Sequence, residues 1–290
     1  MVGISEHEIV GAGTMPFRDG HTWYRVVGEL SAEGPPPLLL LHGGPGGVHD
    51  ALLPLAEMFA EQRPIVLYDQ LGCGRSSHRP DWPAAAWSVE AHVAELDALV
   101  SHLGRFGLTR FHLLGHSWGG CLAAEYALLR PERLASLTLF STTASIDLMM
   151  ASIGALIGSI AEEGLPPEEF LARHVCRVEM PESLVRAFAQ LAEYPEVNEA
   201  MAGSDPESGE FVGTLRGWSV VDRLAGIAAP TLVLGGEFDE LDAGARQPFL
   251  DGVPDVRGHV FGGASHVAYI ETPGEVREVL GGFLAEHDPR

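Results

Sequence analysis

Apolar residues along this chain gather into short, continuous runs, and each run is closed by glycine-rich or polar punctuation. "PLLLL" (37–41) runs into "HGGPGG", and "PIVLYD" (64–69) into "QLGCGRSS". "RFHLLG" (110–115) runs into "HSWGG", and "LASLTLFS" (134–141) into "TTAS". "PTLVLGG" (230–236) runs into "EFDE", and "RGHVFGG" (257–263) into "ASH". Runs without alternation suit strands buried on both faces of a parallel sheet. Between them lie stretches with helical spacing. "SVEAHVAELDALVSHLGRFG" ends at a glycine, "GGCLAAEYALLRPERL" is stopped by Pro131, and "PGEVREVLGGFLAEH" is opened by Pro273. This alternation predicts an α/β architecture with a mostly parallel central sheet and helices on both faces. Ligands of such sheets bind beyond the C-terminal ends of the strands, where all six punctuated loops would collect.

One region breaks the alternation. Residues 145–217 carry helical patterns and no convincing strand, which predicts a helical lid inserted between an N-terminal core part (1–144) and a C-terminal core part (218–290). The segment holds thirteen acids against four arginines, so a substrate would enter past negative charge.

The stretch Gly115-His116-Ser117-Trp118-Gly119 is Gly-x-Ser-x-Gly, placed after a predicted strand and before a predicted helix. That context is the one in which a serine stands on a tight turn as a nucleophile. Its partners then follow in chain order, acid before histidine. Of the later histidines, His174 lies in the insertion, His259 within a predicted strand and His287 in the tail. His266 sits in a loop after the last strand, where a general base belongs. "LVLGGEFDE" offers Asp239 as the acid, with Glu237 as the fallback. The oxyanion needs two backbone donors: Trp118, after the nucleophile, and Gly44 in "HGGPGG", with Gly43 next. Such acyl transfer needs no metal and no organic cofactor.

Composition narrows the choice further. A formal net charge of −22 repels phosphate backbones and anionic lipids, so neither nucleic acid nor a membrane surface is an expected partner. The chain has no lysine, which excludes a lysine Schiff base, a phosphate-loop lysine and a Ser-Lys dyad. Three scattered cysteines form no disulfide framework. The first residues, "MVGISEHEIV", lack a signal-peptide pattern, and the longest apolar stretch (148–161) falls short of a bilayer. A cytoplasmic location is the expectation.

Together, "HGGPG", "DQLGCGRS", "GHSWGG" and "GEFDE" resemble the α/β-hydrolase superfamily, and within it the proline iminopeptidase family with its tricorn-interacting aminopeptidase relatives. The resemblance runs from about residue 37 to the C-terminus and is weakest in the insertion. It implies an α/β-hydrolase fold and release of N-terminal residues, often proline, from short peptides or amides. It also implies that acids hold the substrate's free α-amino group, at Glu240 in "FDE" and Glu210 in "GEFVGTLRGW". Asp69 and Arg75, in the more general motif, are expected to hold a turn. The chain departs from the family pattern at His116, where glycine or serine is common, and in a shorter segment around Glu210. The alternatives are an ester, lactone or small-molecule amide hydrolase of specialised metabolism, and a non-catalytic ligand-binding protein of the same fold.

Overall fold

The structure is a computed structural model that describes residues 11–204 and 211–288. It opens with an antiparallel hairpin, β1 (Gly11–Phe17) and β2 (Gly20–Val27). The apolar runs did not announce this pair. It lies at one edge of the sheet with part of its surface exposed, so its residues form no continuous apolar stretch. Next come β3 (Leu38–Leu41), α1 (Leu53–Phe59), β4 (Ile65–Asp69), α2 (Val89–Gly104), β5 (Phe111–His116), α3 (Trp118–Leu129) and β6 (Leu134–Phe140). A helical segment follows: α4 (Ile146–Glu162), a π-helical turn at Leu171–Val175, α5 (Glu182–Glu193) and α6 (Glu196–Ala202). A backbone bridge between Ser145 and Ser219 draws its two ends together. The chain closes with β7 (Thr231–Gly236), α7 (Ala243–Gly252), β8 (Val256–Phe261), α8 (Ala268–Glu271) and α9 (Pro273–Glu286).

Among the described residues the strands form one sheet in the order β1-β2-β4-β3-β5-β6-β7-β8, parallel from β4 to β8. Strands β3 to β7 are buried along their whole length because helices cover both faces. Successive leucines of β3 divide between the two cores: Leu39 and Leu41 pack with α2 and α3, Leu38 and Leu40 with α1 and α9. Strand β8 is an edge strand, and its burial is broken by Arg257 and His259. No helix among the described residues is long and apolar enough to cross a membrane.

The strand order places the chemistry. From β3 the chain moves to β4 on one side and returns to β5 on the other. The loops leaving β3 and β5 therefore diverge, and a crevice opens between them at the C-terminal edge. "HGGPGG" leaves β3 there, and Ser117 leaves β5. Helix α3 starts so close to the sheet that Gly115 and Gly119 have no room for a side chain. A Cβ on Gly119 would collide with the Leu41 carbonyl oxygen, and one on Gly115 with the Gly119 carbonyl. Gly119→Ala is therefore expected to lower unfolding free energy by about 3 kcal/mol or more, since neither colliding group is a flexible side chain. Urea denaturation checks this, and an unchanged midpoint would contradict the close approach.

Candidate active site

Ser117 occupies the turn between β5 and α3 with φ +56° and ψ −126°. A non-glycine residue there carries about 1–3 kcal/mol of backbone strain. Three contacts hold it. Its N–H donates to the Phe140 carbonyl (3.0 Å), and its own carbonyl accepts from Gly120 N–H (2.8 Å) and Thr142 Oγ1 (2.7 Å). The side chain is thereby lifted off the strand line, at the positive end of the α3 dipole.

Asp239 and His266, which lie beyond the ends of β7 and β8, meet. His266 Nδ1–H donates to Asp239 Oδ1 at 2.8 Å, and both residues are buried. Leu241 N–H also donates to Asp239 Oδ1 (3.0 Å), and Arg246 Nη1 to Oδ2 (3.3 Å). Burial alone would raise the Asp239 carboxyl. The His266 charge and hydrogen bond, with Arg246 and the Leu241 amide, outweigh burial and hold it below the usual carboxylate range. With Nδ1 committed, the free nitrogen of His266 is Nε2, which lies 3.5 Å from Glu240 Oε1. Burial pushes His266 down, but Glu240 and Asp239 together lift it to about 9. Burial raises the Glu240 carboxyl, against the pull of His266.

Ser117, His266, Glu240, Gly43 and Gly44 line one cavity of about 230 Å³, roofed by Leu184, Ala187, Phe188 and Leu191 of α5. Gly43 lies against the serine: a Cβ built on it would stand 2.9 Å from Ser117 Cβ. Gly44 has φ +122°, a conformation that favours glycine. On the other side of Ser117 a recess of about 40 Å³ is bounded by Trp118, Ile146, Met149 and Leu215. Trp118 and Met149 thus face the site. Trp218 points elsewhere, its indole N–H donating to Glu125 (2.9 Å), and Met150 is exposed.

The other sequence candidates sit apart. Glu237 is exposed and accepts from Gly263 N–H (2.8 Å). His259 pairs with Glu275 on the surface (2.8 Å), and His287 bonds the Phe283 carbonyl in the last turn. Glu210 lies outside the described residues. Asp69 holds a turn: its carboxylate accepts from Arg75 N–H (3.0 Å) and from His49 Nδ1 (2.8 Å).

Four contributors carried no clear sequence signal. Arg246 comes from the middle of α7, in no motif. The carbonyl of His174, in the π-helical turn, accepts from the amides of both Glu240 and His266 (3.2 Å each). His116 donates to the His266 carbonyl. Gln70 joins the two sides of the crevice: its Nε2 donates to the His42 carbonyl (3.0 Å) and its Oε1 accepts from Trp118 Nε1–H (2.9 Å). Gln70 N–H in turn donates to His42 Nε2 (3.0 Å), so His42 Nδ1 carries the proton given to Gly43 O (3.0 Å). Gln70 and His116 stood in recognised motifs, but nothing in those motifs said what either side chain would hold.

A serine on a strained strand-to-helix turn, with acid and histidine at the ends of the last two strands, is the arrangement of an α/β hydrolase. A family model described as alpha/beta hydrolase fold matches residues 36–161. The proline iminopeptidase of Lactobacillus helveticus is 34% identical over 301 residues, covering 95% of this chain and 98% of that protein. The crystal structure of the proline iminopeptidase of Mycobacterium smegmatis matches with a TM-score of 0.85 and 39% identity, over 96% of this chain and 98% of that one. The crystal structure of VinJ matches with a TM-score of 0.87 and 36% identity, over 96% and 99%. The chain belongs to the proline iminopeptidase family, and it is a hydrolase.

Gln70→Leu keeps the bulk but leaves the His42 carbonyl and the Trp118 indole N–H without partners in a buried site. A loss of about 2–4 kcal/mol is expected, measured as a lowered urea midpoint at unchanged slope. A wild-type midpoint would mean that the bridge contributes nothing.

Proposed function

We propose that this chain is a serine aminopeptidase that removes the N-terminal residue of short peptides or aminoacyl amides. The observation that carries the reading is the His266 imidazole, fixed by Asp239 on one nitrogen and presenting the other to a cavity shared by Ser117 and Glu240. In this reading His266 Nε2 takes the Ser117 proton as Oγ attacks the carbonyl. The amides of Trp118 and Gly44 hold the oxyanion, and Asp239 steadies the imidazolium. His266 then protonates the leaving amine. Water then attacks the acyl carbon as His266 takes its proton, and His266 returns that proton to Ser117 Oγ as the acid leaves. Glu240 receives the substrate's ammonium group, with Glu210 as its partner by family resemblance. The helical segment 145–217 serves as the lid, and the cavity under α5 takes the apolar side chain.

Charge gives the amine a second effect. Glu240 is one of the two carboxylates that keep His266 protonated. An ammonium group bound to Glu240 offsets that pull and frees the base.

Ser117→Ala should abolish turnover by at least about 10⁴-fold and remove labelling by a fluorophosphonate probe. Activity retained by that variant would sink the serine mechanism. Because His266 must be neutral to act, kcat/KM of the free enzyme should fall as pH drops below about 9. Glu240→Gln removes one of the charges that raise this value, so the acid limb should move to lower pH. The same variant should lose about 10- to 100-fold on aminoacyl amides, the worth of a charge-assisted bond, yet not on plain acyl esters. Equal losses on both substrate classes would argue against amine recognition by Glu240.

A further inference from the structure

His116 stands one residue before the serine, at the end of β5, and lines the cavity. It is buried. Its Nε2 lies 2.9 Å from the backbone carbonyl oxygen of His266, 150 residues away in sequence. A carbonyl can only accept, so Nε2 carries the proton and donates it. The ring is set edge-on against Tyr269 (5.3 Å, 90°) and Phe140 (5.9 Å, 75°), and its centroid is 4.7 Å from that of His266. Burial, reinforced by the His266 charge, pushes its own protonation down to about 3. The ring is therefore neutral wherever the site works.

The loop carrying His266 has other anchors. Asp239 holds its ring, the His174 carbonyl accepts from its amide, and Glu271 accepts from the amide and hydroxyl of Ser265. These reach the loop from β7's end, from the π-helical turn and from α8. Among the described residues, His116 is the anchor that comes from the strand bearing the serine. Proton transfer depends on the separation of Ser117 Oγ and His266 Nε2, and a displacement of about 1 Å can cost a factor of about 10² in rate.

We infer that His116 is a positioning residue for the hydrolytic reaction: by holding the His266 carbonyl it fixes the base's loop to the nucleophile's turn. The inference rests on the serine-hydrolase reading. Three substitutions isolate the bond. His116→Phe keeps a ring and removes the donor. His116→Gln brings an amide nitrogen to about the position of Nε2, whereas His116→Asn reaches only as far as Nδ1. On an aminoacyl p-nitroanilide, the Phe and Asn variants should lose about 10- to 100-fold in kcat with KM within about threefold, and Gln should stay within about threefold of wild type. The rate of fluorophosphonate labelling of Ser117 should fall in the same order. Asn at the wild-type rate, or Gln as slow as Asn, overturns the inference. Should the variants fail to fold, nitrogen NMR of the unsubstituted protein decides. A neutral His116 with the proton on Nε2 at pH 6 supports the bond, and a cation or the Nδ1–H form overturns it. If wild type is neither active nor labelled, the serine reading fails, while the NMR result still reports on the contact.

Discussion

The backbone of Ser117 is the constraint on which the site depends. At φ +56° the residue sits where a side chain costs energy, and it stays there because β5, α3 and the end of β3 are packed too tightly to relax it. Glycine at 115 and 119 is the condition for that packing. With those side chains absent, α3 approaches the Leu41 carbonyl, and the "HGGPGG" loop comes down beside the serine. The strain, the open helix N-terminus and the neighbouring loop amides thus follow from one close contact between a helix and a sheet. Sequence decides it locally, through two glycines, and topology decides it globally, through the switch of direction between β3 and β5.

A close backbone contact does not by itself set the orientation of the groups around it. That is left to buried polar side chains with complete hydrogen bonding. Gln70 bridges the His42 carbonyl and the Trp118 indole, and His42 Nδ1–H donates a hydrogen bond to the Gly43 carbonyl. Each group has one protonation state compatible with its neighbours, so the network has a single arrangement. Asp239 follows the same logic: a buried carboxylate stays ionised because it accepts from an imidazole, an amide and a guanidinium.

The sheet was legible because its inner strands are covered on both faces, which forces continuous apolar runs with glycine at their ends. The β1–β2 hairpin was not, since a half-exposed edge needs no such run. Ser117, Asp239 and His266 could be chosen from sequence because chain order and loop placement leave few candidates. Glu237 and Asp239 could not be separated by spacing alone. The structure parts them physically: one is exposed on a glycine amide, and the other is buried against His266. Arg246 and the His174 carbonyl were invisible. An arginine inside a helix resembles a surface residue until packing turns it inward, and a backbone acceptor leaves no trace in residue identity.

The two carboxylates beside His266 are not equivalent, and the difference supports the amine reading. Both raise the imidazole's affinity for its proton. Asp239 is fully enclosed, and Arg246 shares its charge. Glu240 is only partly buried and lines the cavity, and among the described residues its ionic partner is His266. A carboxylate in that position is unhelpful to a base working on a neutral ester, because it keeps the base protonated. It becomes useful when the ligand brings its own positive charge, since the ammonium satisfies Glu240 and relieves His266 in one step. On electrostatic grounds alone, then, the cavity suits a cationic substrate better than a neutral one. A surface carrying a net −22 favours the same ligand before it arrives.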